Sequence, residues 1–188
     1  MSIIVENLKQ AIIGESNAKY KYEQFANKAD EENLPEIAHL FRAISSAETI
    51  HIKNHTKALS VITTSEVNVN DFLTINKEKL NNQVKDTKNN LLNAIEGEIY
   101  ETKKMYKKFI KNSEKEGNNV SELTFTLARK AEKIHAYLFN KYLKLLTAEK
   151  PIQKVKLYVC QICGNVELEG APQKCPICEH SQKFFNEF

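Results

Sequence analysis

Apolar residues recur along this chain in steps of three and four, the period that gathers side chains on one face of a helix. A first stripe runs Val5, Leu8, Ile12, Glu15, Ala18, Tyr22 and Phe25 and predicts a helix from about Ile4 to Ala29. A second, Ile37, Phe41, Ile44, Glu48, His51 and His55, starts near Asn33 and Pro35, where Glu36 suggests a capping box. The third starts weakly near Val84 and continues through Leu91, Ala94, Ile95, Glu98, Glu101, Thr102, Met105 and Phe109. The fourth, from near Ser121 to near Thr147, carries Ala128, Glu132, His135, Phe139 and Tyr142. Short polar turns join first to second and third to fourth, which predicts two antiparallel pairs. The polar, β-branched stretch from Leu59 to Lys79 reads as the crossover between them.

Each stripe carries carboxylates or imidazoles where a core residue belongs. Burying an unpaired carboxylate costs several kcal/mol, so these groups need counter-charges. The two pairs also repeat each other: Gly14-Glu15 precedes Glu48-x-x-His51 as Gly97-Glu98 precedes Glu132-x-x-His135. Glu15 and Glu48 are 33 residues apart, Glu98 and Glu132 34, as in a duplicated hairpin whose polar residues meet at one level. Glutamate and histidine three apart on a helix can reach one ion, and two such helices can hold two. This donor pattern is that of ferritin-like di-iron carboxylate bundles. Glu101 adds a carboxylate one turn after Glu98, and two divalent cations would bring +4 against the formal −5 of the five glutamates. The surface salt-bridge alternative requires all four stripes to be misread. His55 reads as a core histidine supporting the ligands, His39 and His180 as solvated, and Tyr22 and Tyr106 as core residues near the cluster or as hydroxyl donors to it.

After Pro151 the chain changes character. Cys160, Cys163, Cys175 and Cys178 form two C-x-x-C knuckles, the spacing of a tetrahedral iron or zinc site. A segment this short cannot fold on apolar burial alone, so the ion is expected to nucleate it. A structural zinc ribbon fits the cysteine count equally well; Gly164 after the first knuckle and Pro176 inside the second favour a rubredoxin-like unit.

Composition restricts the setting. The 188 residues are 41% hydrophobic and 27% charged, which is globular, and 27 basic against 24 acidic residues give a net +3 without a basic block. Neither nucleic acid nor membrane is expected as a partner. Without a signal-like opening or a membrane-length apolar run, and with paired cysteines suited to a reducing compartment, a cytoplasmic protein is expected.

Taken together, these motifs resemble rubrerythrin over nearly the whole chain. The resemblance implies a mainly α protein: a ferritin-like four-helix di-iron domain over residues 1–147 and a rubredoxin-like domain over 153–188 with one iron, or zinc, on its four cysteines. It implies di-iron ligands at Glu15, Glu48, His51, Glu98, Glu101, Glu132 and His135, with Tyr22 and Tyr106 near the irons. One iron would exchange Glu101 for His51 on reduction. The implied activity is reduction of hydrogen peroxide to water in protection against oxidative stress. Electrons would come from NAD(P)H through a separate reductase, or rubredoxin, and pass through the four-cysteine iron. Oxygen-driven iron oxidation is the alternative on the same bundle, and a non-enzymatic helical module with a zinc ribbon the other. Asn165 and Glu179 depart from the aromatic and glycine usual beside rubredoxin knuckles. The long crossover allows a homodimer with hairpins exchanged between chains. Because helix four carries the chain away from the ligand plane, the small domain is expected to serve a partner subunit's irons.

Overall fold

The structure, a computed structural model, describes residues 2–188; Met1, at the edge of the expected first domain, lies outside the described residues. Helices α1 (Ile3–Glu31), α2 (Pro35–Thr63) and α6 (Asn119–Thr147) run 29 residues each. A fourth rod joins α4 (Thr87–Tyr100), a π-helical turn (Glu101–Met105) and α5 (Tyr106–Lys115). A short α3 (Lys77–Asn81) lies in the crossover. Side chains stop the helix starts from fraying: Ser2, Asp86 and Asn118 accept backbone N–H groups at the starts of α1, α4 and α6.

Three expectations about these rods need correction. The third helix is not continuous, because the π turn inserts an extra residue per turn and shifts the stripe. Tyr106 is consequently fully buried, whereas Met105 is only half-buried. The capping box at Glu36 does not form, since Asn33 takes a left-handed conformation (φ 58°) and Leu34 becomes the N-cap, without a side-chain bond. The crossover begins later than Leu59, because α2 continues to Thr63; it then contains a 3₁₀ turn at Val69–Asp71 before α3.

Apolar burial falls into two plugs on either side of a charged layer. Tyr22, Phe25, Phe41 and Phe139 anchor one plug, and Leu8, Ile12, Tyr106, Phe109 and Phe125 the other. Each fully buried Leu or Phe contributes about 1.5–3 kcal/mol, and together they offset the cost of holding carboxylates between them.

The C-terminal unit is a three-stranded antiparallel sheet in the order β2-β1-β3, with β1 at Leu157–Cys160, β2 at Val166–Leu168 and β3 at Phe185–Glu187. It does not extend beyond the bundle toward a partner's site, as the direction of helix four suggested. Ile152 and Val155 pack against the first plug, Leu157, Val159 and Val166 are buried in it, and the chain turns back along its own bundle. Apolar side chains on the return segment drive this reversal, because leaving them in water would forfeit their burial.

Candidate metal centres

The four rods bring six of the seven expected di-iron residues into two overlapping sets. Glu15, Glu48, His51 and Glu132 offer donor atoms all within 4.8 Å of one another, and so do Glu48, Glu98, Glu132 and His135. Glu48 and Glu132 belong to both. Each half therefore has one glutamate and one histidine of its own and shares two carboxylates, the donor arrangement of two adjacent cations. All six are buried.

Their atoms fit metal better than each other. Glu15 Oε2, Glu48 Oε1, Glu98 Oε2, both Glu132 oxygens and His135 Nδ1 are buried without a hydrogen-bond partner. Glu132 oxygens nevertheless lie 2.8 Å from His51 Nδ1 and 2.7 Å from His135 Nδ1. Contact without hydrogen-bond alignment means that lone pairs converge on points between the groups rather than on one another. Without cations the cluster is electrostatically awkward. Burial, then the Glu132 and Glu48 charges, push Glu15 up to about 8. Burial followed by neighbouring carboxylates also raises Glu98 and Glu101 well above the carboxylate range. Burial alone would lower His135, but Glu132 and Glu48 more than offset it and raise it to about 10.

The imidazoles are oriented from outside the bundle. His51 Nε2 lies 3.0 Å from the Cys163 carbonyl oxygen and His135 Nε2 3.0 Å from that of Gly164. A carbonyl can only accept, so each Nε2 carries a proton and each Nδ1 faces the carboxylates, the nitrogen a metal would take once it displaces any proton there. Asn54 adds a third link, its amide donating to the Ile162 carbonyl at 2.8 Å. The knuckle reaches so close because residue 164 is glycine. Its φ is +77°, and a Cβ there would meet His51 Nε2 at 2.5 Å.

Glu101 is buried beside the cluster but stands outside both tight sets, its Oε1 directed toward Gly14. The π turn begins at this residue. The two tyrosines reach opposite ends of the site: Tyr22 donates to Glu98 at 2.6 Å, and Tyr106 donates to Glu15. Burial and the adjoining carboxylates raise both phenols well above their usual value, so both remain donors. His55 is fully buried against Tyr106, while His39 is half-buried beside Phe188 and His180 is exposed.

The four thiols form a second centre. Cys160 Sγ lies 3.7 Å from Cys178 Sγ, and Cys163 Sγ lies 3.6 Å from Cys175 Sγ. Disulfides need about 2.05 Å, whereas a tetrahedron with metal–sulfur bonds of about 2.3 Å has edges of the observed size. The knuckles are built alike. Gly164 and Glu179 donate to the carbonyls of Cys160 and Cys175, both with positive φ. Glu179 thus adopts the left-handed conformation that glycine would supply more easily. Asn165, the other departure, is fully buried and donates to Glu167 at 2.7 Å.

Periodicity had marked the ligand candidates, but two contributions escaped it. One is the knuckle carbonyls, which carry no side-chain signal. The other is Thr124, N-terminal to the ligands on α6 and bonded to His55 at 3.0 Å.

Similarity to known proteins follows the same two-part division. A family model described as rubrerythrin matches residues 6–143, and one described as the rubredoxin-like domain of rubrerythrin matches residues 158–186. Rubrerythrin-2 of Clostridium acetobutylicum is 34% identical over 96% of this chain and 94% of its own length. Nigerythrin of Nitratidesulfovibrio vulgaris is 34% identical over 98% of this chain and 86% of its own. The structure of fully reduced, all-ferrous nigerythrin superposes with a TM-score of 0.85 at 31% identity, covering 100% of this chain and 88% of that one. The helical cluster accordingly fits two irons and the cysteines one iron or zinc, and with both parts and their order matched, the chain belongs to the rubrerythrin family.

Proposed function

We propose that the protein reduces hydrogen peroxide to water at a di-iron site, with electrons entering through its four-cysteine iron, and so protects against oxidative stress. The observation that carries this reading is the pair of hydrogen bonds from His51 and His135 to the backbone of Cys163 and Gly164. An enzyme that oxidises ferrous iron with oxygen needs no such connection, because its substrate brings its own electrons. A peroxidase must be re-reduced from outside, and here the donor's backbone touches both imidazoles of the acceptor.

In this reading Glu15, Glu48, His51, Glu98, Glu132 and His135 hold the irons, and Glu101 is the alternative ligand that His51 replaces. When bound, two ferrous ions supply the two electrons and the Lewis acidity that breaking the O–O bond requires. The balance is one peroxide, two electrons and two protons to two waters. At rest Tyr22 and Tyr106 are protonated and donate to Glu98 and Glu15, holding each carboxylate in a fixed orientation. The apolar plugs exclude water, which strengthens every electrostatic interaction between them. The functional units are residues 1–147 and 153–188, the electron donor a separate NAD(P)H-linked reductase or rubredoxin, and the assembly a homodimer, measurable by light scattering. No helix of the described residues is long and apolar enough to cross a membrane, and unbridged thiols suit the cytoplasm.

The test is anaerobic reduction followed by rapid mixing with hydrogen peroxide or with oxygen. Reoxidation should be faster with peroxide, with the visible absorbance of the ferric four-cysteine iron returning as that centre refills the di-iron site. Faster reaction with oxygen would assign the site to iron oxidation instead.

A further inference from the structure

The two halves of the site resemble each other except behind their tyrosines. Among the described residues, the Tyr22 hydroxyl bonds only Glu98, and beyond it stand Phe25, Phe41 and Phe139. That end is lined by aromatic rings with the Lys21 ammonium 6.0 Å from the Tyr22 ring centre, and no second side chain among the described residues bonds the hydroxyl. Behind Tyr106 the polar chain continues: His55 Nε2 lies 2.9 Å from the Tyr106 hydroxyl, and Thr124 Oγ1 lies 3.0 Å from His55 Nδ1. Thr124, 9% exposed, lines a surface groove of about 260 Å³ with Lys57, Val61, Leu123 and Ile162.

The direction of each bond follows from chemistry. Glu15, ionised when it holds a metal, can only accept, so Tyr106 donates to it; the phenol oxygen then accepts from His55 Nε2–H; the bare Nδ1 accepts from the Thr124 hydroxyl. All three protons point from the groove toward the site. Each side of the His55 ring meets a single hydroxyl, Tyr106 at Nε2 and Thr124 at Nδ1, which fixes the order of the chain.

We propose that Thr124, His55 and Tyr106 form a proton path from this groove to Glu15, supplying protons that peroxide reduction consumes. The inference rests on the peroxidase reading for its purpose, though not for its geometry. In one passage solvent gives a proton to Thr124 Oγ1 as Thr124 passes its own to His55 Nδ1. His55 releases its Nε2 proton to Tyr106, and Tyr106 releases its proton to Glu15 Oε1. One proton crosses, no electron moves, and no residue between solvent and Glu15 changes charge. His55 is left protonated on Nδ1, and the hydroxyls and ring must return to the starting tautomer before the next passage. His55 and Thr124 are thus positioning residues that act through Tyr106.

The test uses the full chain with zinc in all its metal sites, which is diamagnetic and redox-silent. Exchange of the His55 ring N–H with solvent is followed by NMR in the natural protein, in Thr124→Val, which keeps the shape without the hydroxyl, and in Thr124→Ser, which restores it. Thr124→Val should slow exchange by at least about tenfold, and Thr124→Ser should return it to within about twofold of the natural rate. A merely structural threonine would not give rescue by serine. Equal exchange in the natural protein and Thr124→Val overturns the path. Should Thr124→Val not fold, Thr124→Ala is judged by the same ratio. With iron loaded, turnover should fall about tenfold in Thr124→Val at unchanged iron content. Absence of peroxide turnover in the natural protein would defeat the peroxidase reading while leaving the exchange result standing.

Discussion

His51 and Cys163, 112 residues apart in sequence, share a hydrogen bond of 3.0 Å between imidazole Nε2–H and backbone carbonyl oxygen. One bond therefore fixes the tautomer of a di-iron ligand candidate and joins the two metal centres. Gly164 makes the approach possible, and changing it tests the junction directly. In Gly164→Ala the new Cβ would collide with His51 Nε2 at 2.5 Å and with the Ala47 carbonyl at 3.2 Å. Overpacking and left-handed strain together cost on the order of 2–5 kcal/mol, enough to displace the small unit from the bundle. Limited proteolysis between residues 148 and 156 should accelerate, and electron transfer from the four-cysteine iron should slow. Natural rates of both would show that the contact is dispensable.

Glu101 and Glu132 should behave differently. Glu132 offers atoms to both donor sets and Glu101 to neither. Glu132→Ala should lower ferrous affinity by more than about 100-fold, the upper range for losing even a supporting partner. Glu101→Ala should leave ferrous affinity within a few-fold and slow peroxide turnover. Iron titrations of the two variants read the difference, and equal loss would make Glu101 an ordinary structural ligand.

Cys178→Ser removes one thiolate from the small unit. Its visible colour should disappear and the strands after Leu157 should lose amide protection, while the helical signal in the far ultraviolet persists. Peroxide should still oxidise the reduced di-iron site in a single turnover, but multiple turnovers with a reductase should stop. Retained colour would argue against the four-cysteine iron site.

Metal-free protein should lose stability as pH rises. Burial and neighbouring charges raise Glu15 from 4.5 to about 8, and Glu132 raises His135 against burial from 6.5 to about 10. Folding therefore retains protons that the unfolded chain releases, so stability is full below the unfolded values and falls through these windows. Glu132, lowered by His51 and His135 against burial, works in reverse, but its contribution is lost only below about 4.5; His55, lowered by burial and then His51 to about 3, also works in reverse and offsets part of the change below about 6.5. Iron requires the deprotonated ligands, so its stabilisation grows over the same range. Thermal unfolding at about pH 5 and about pH 8, with and without chelator, should show the gap between metal-loaded and metal-free protein widening at the higher pH. A constant gap would mean that the ligands do not titrate together.

Periodicity by itself determined the helical rods, the inward direction of Glu15, Glu48, His51, Glu98, Glu132 and His135, and the duplicated spacing that brings them to one level. It could do so because three- and four-residue steps are a local property of helices, and a carboxylate in an apolar stripe is conspicuous against its neighbours. Cysteine spacing likewise marked the second centre, since a knuckle is a local turn. Only the tertiary structure decided the rest. Tyr106 was already legible as a core residue, but the π turn that leaves Met105 only half-buried adds one residue to a helix without altering its composition. The return of the small unit onto its own bundle depends on Ile152, Val155 and Leu157 finding a distant apolar surface. His55 was legible only as a buried histidine. Its role depends on Tyr106 and Thr124, 51 and 69 residues away, contacts that no local pattern encodes because they arise when separate helices pack.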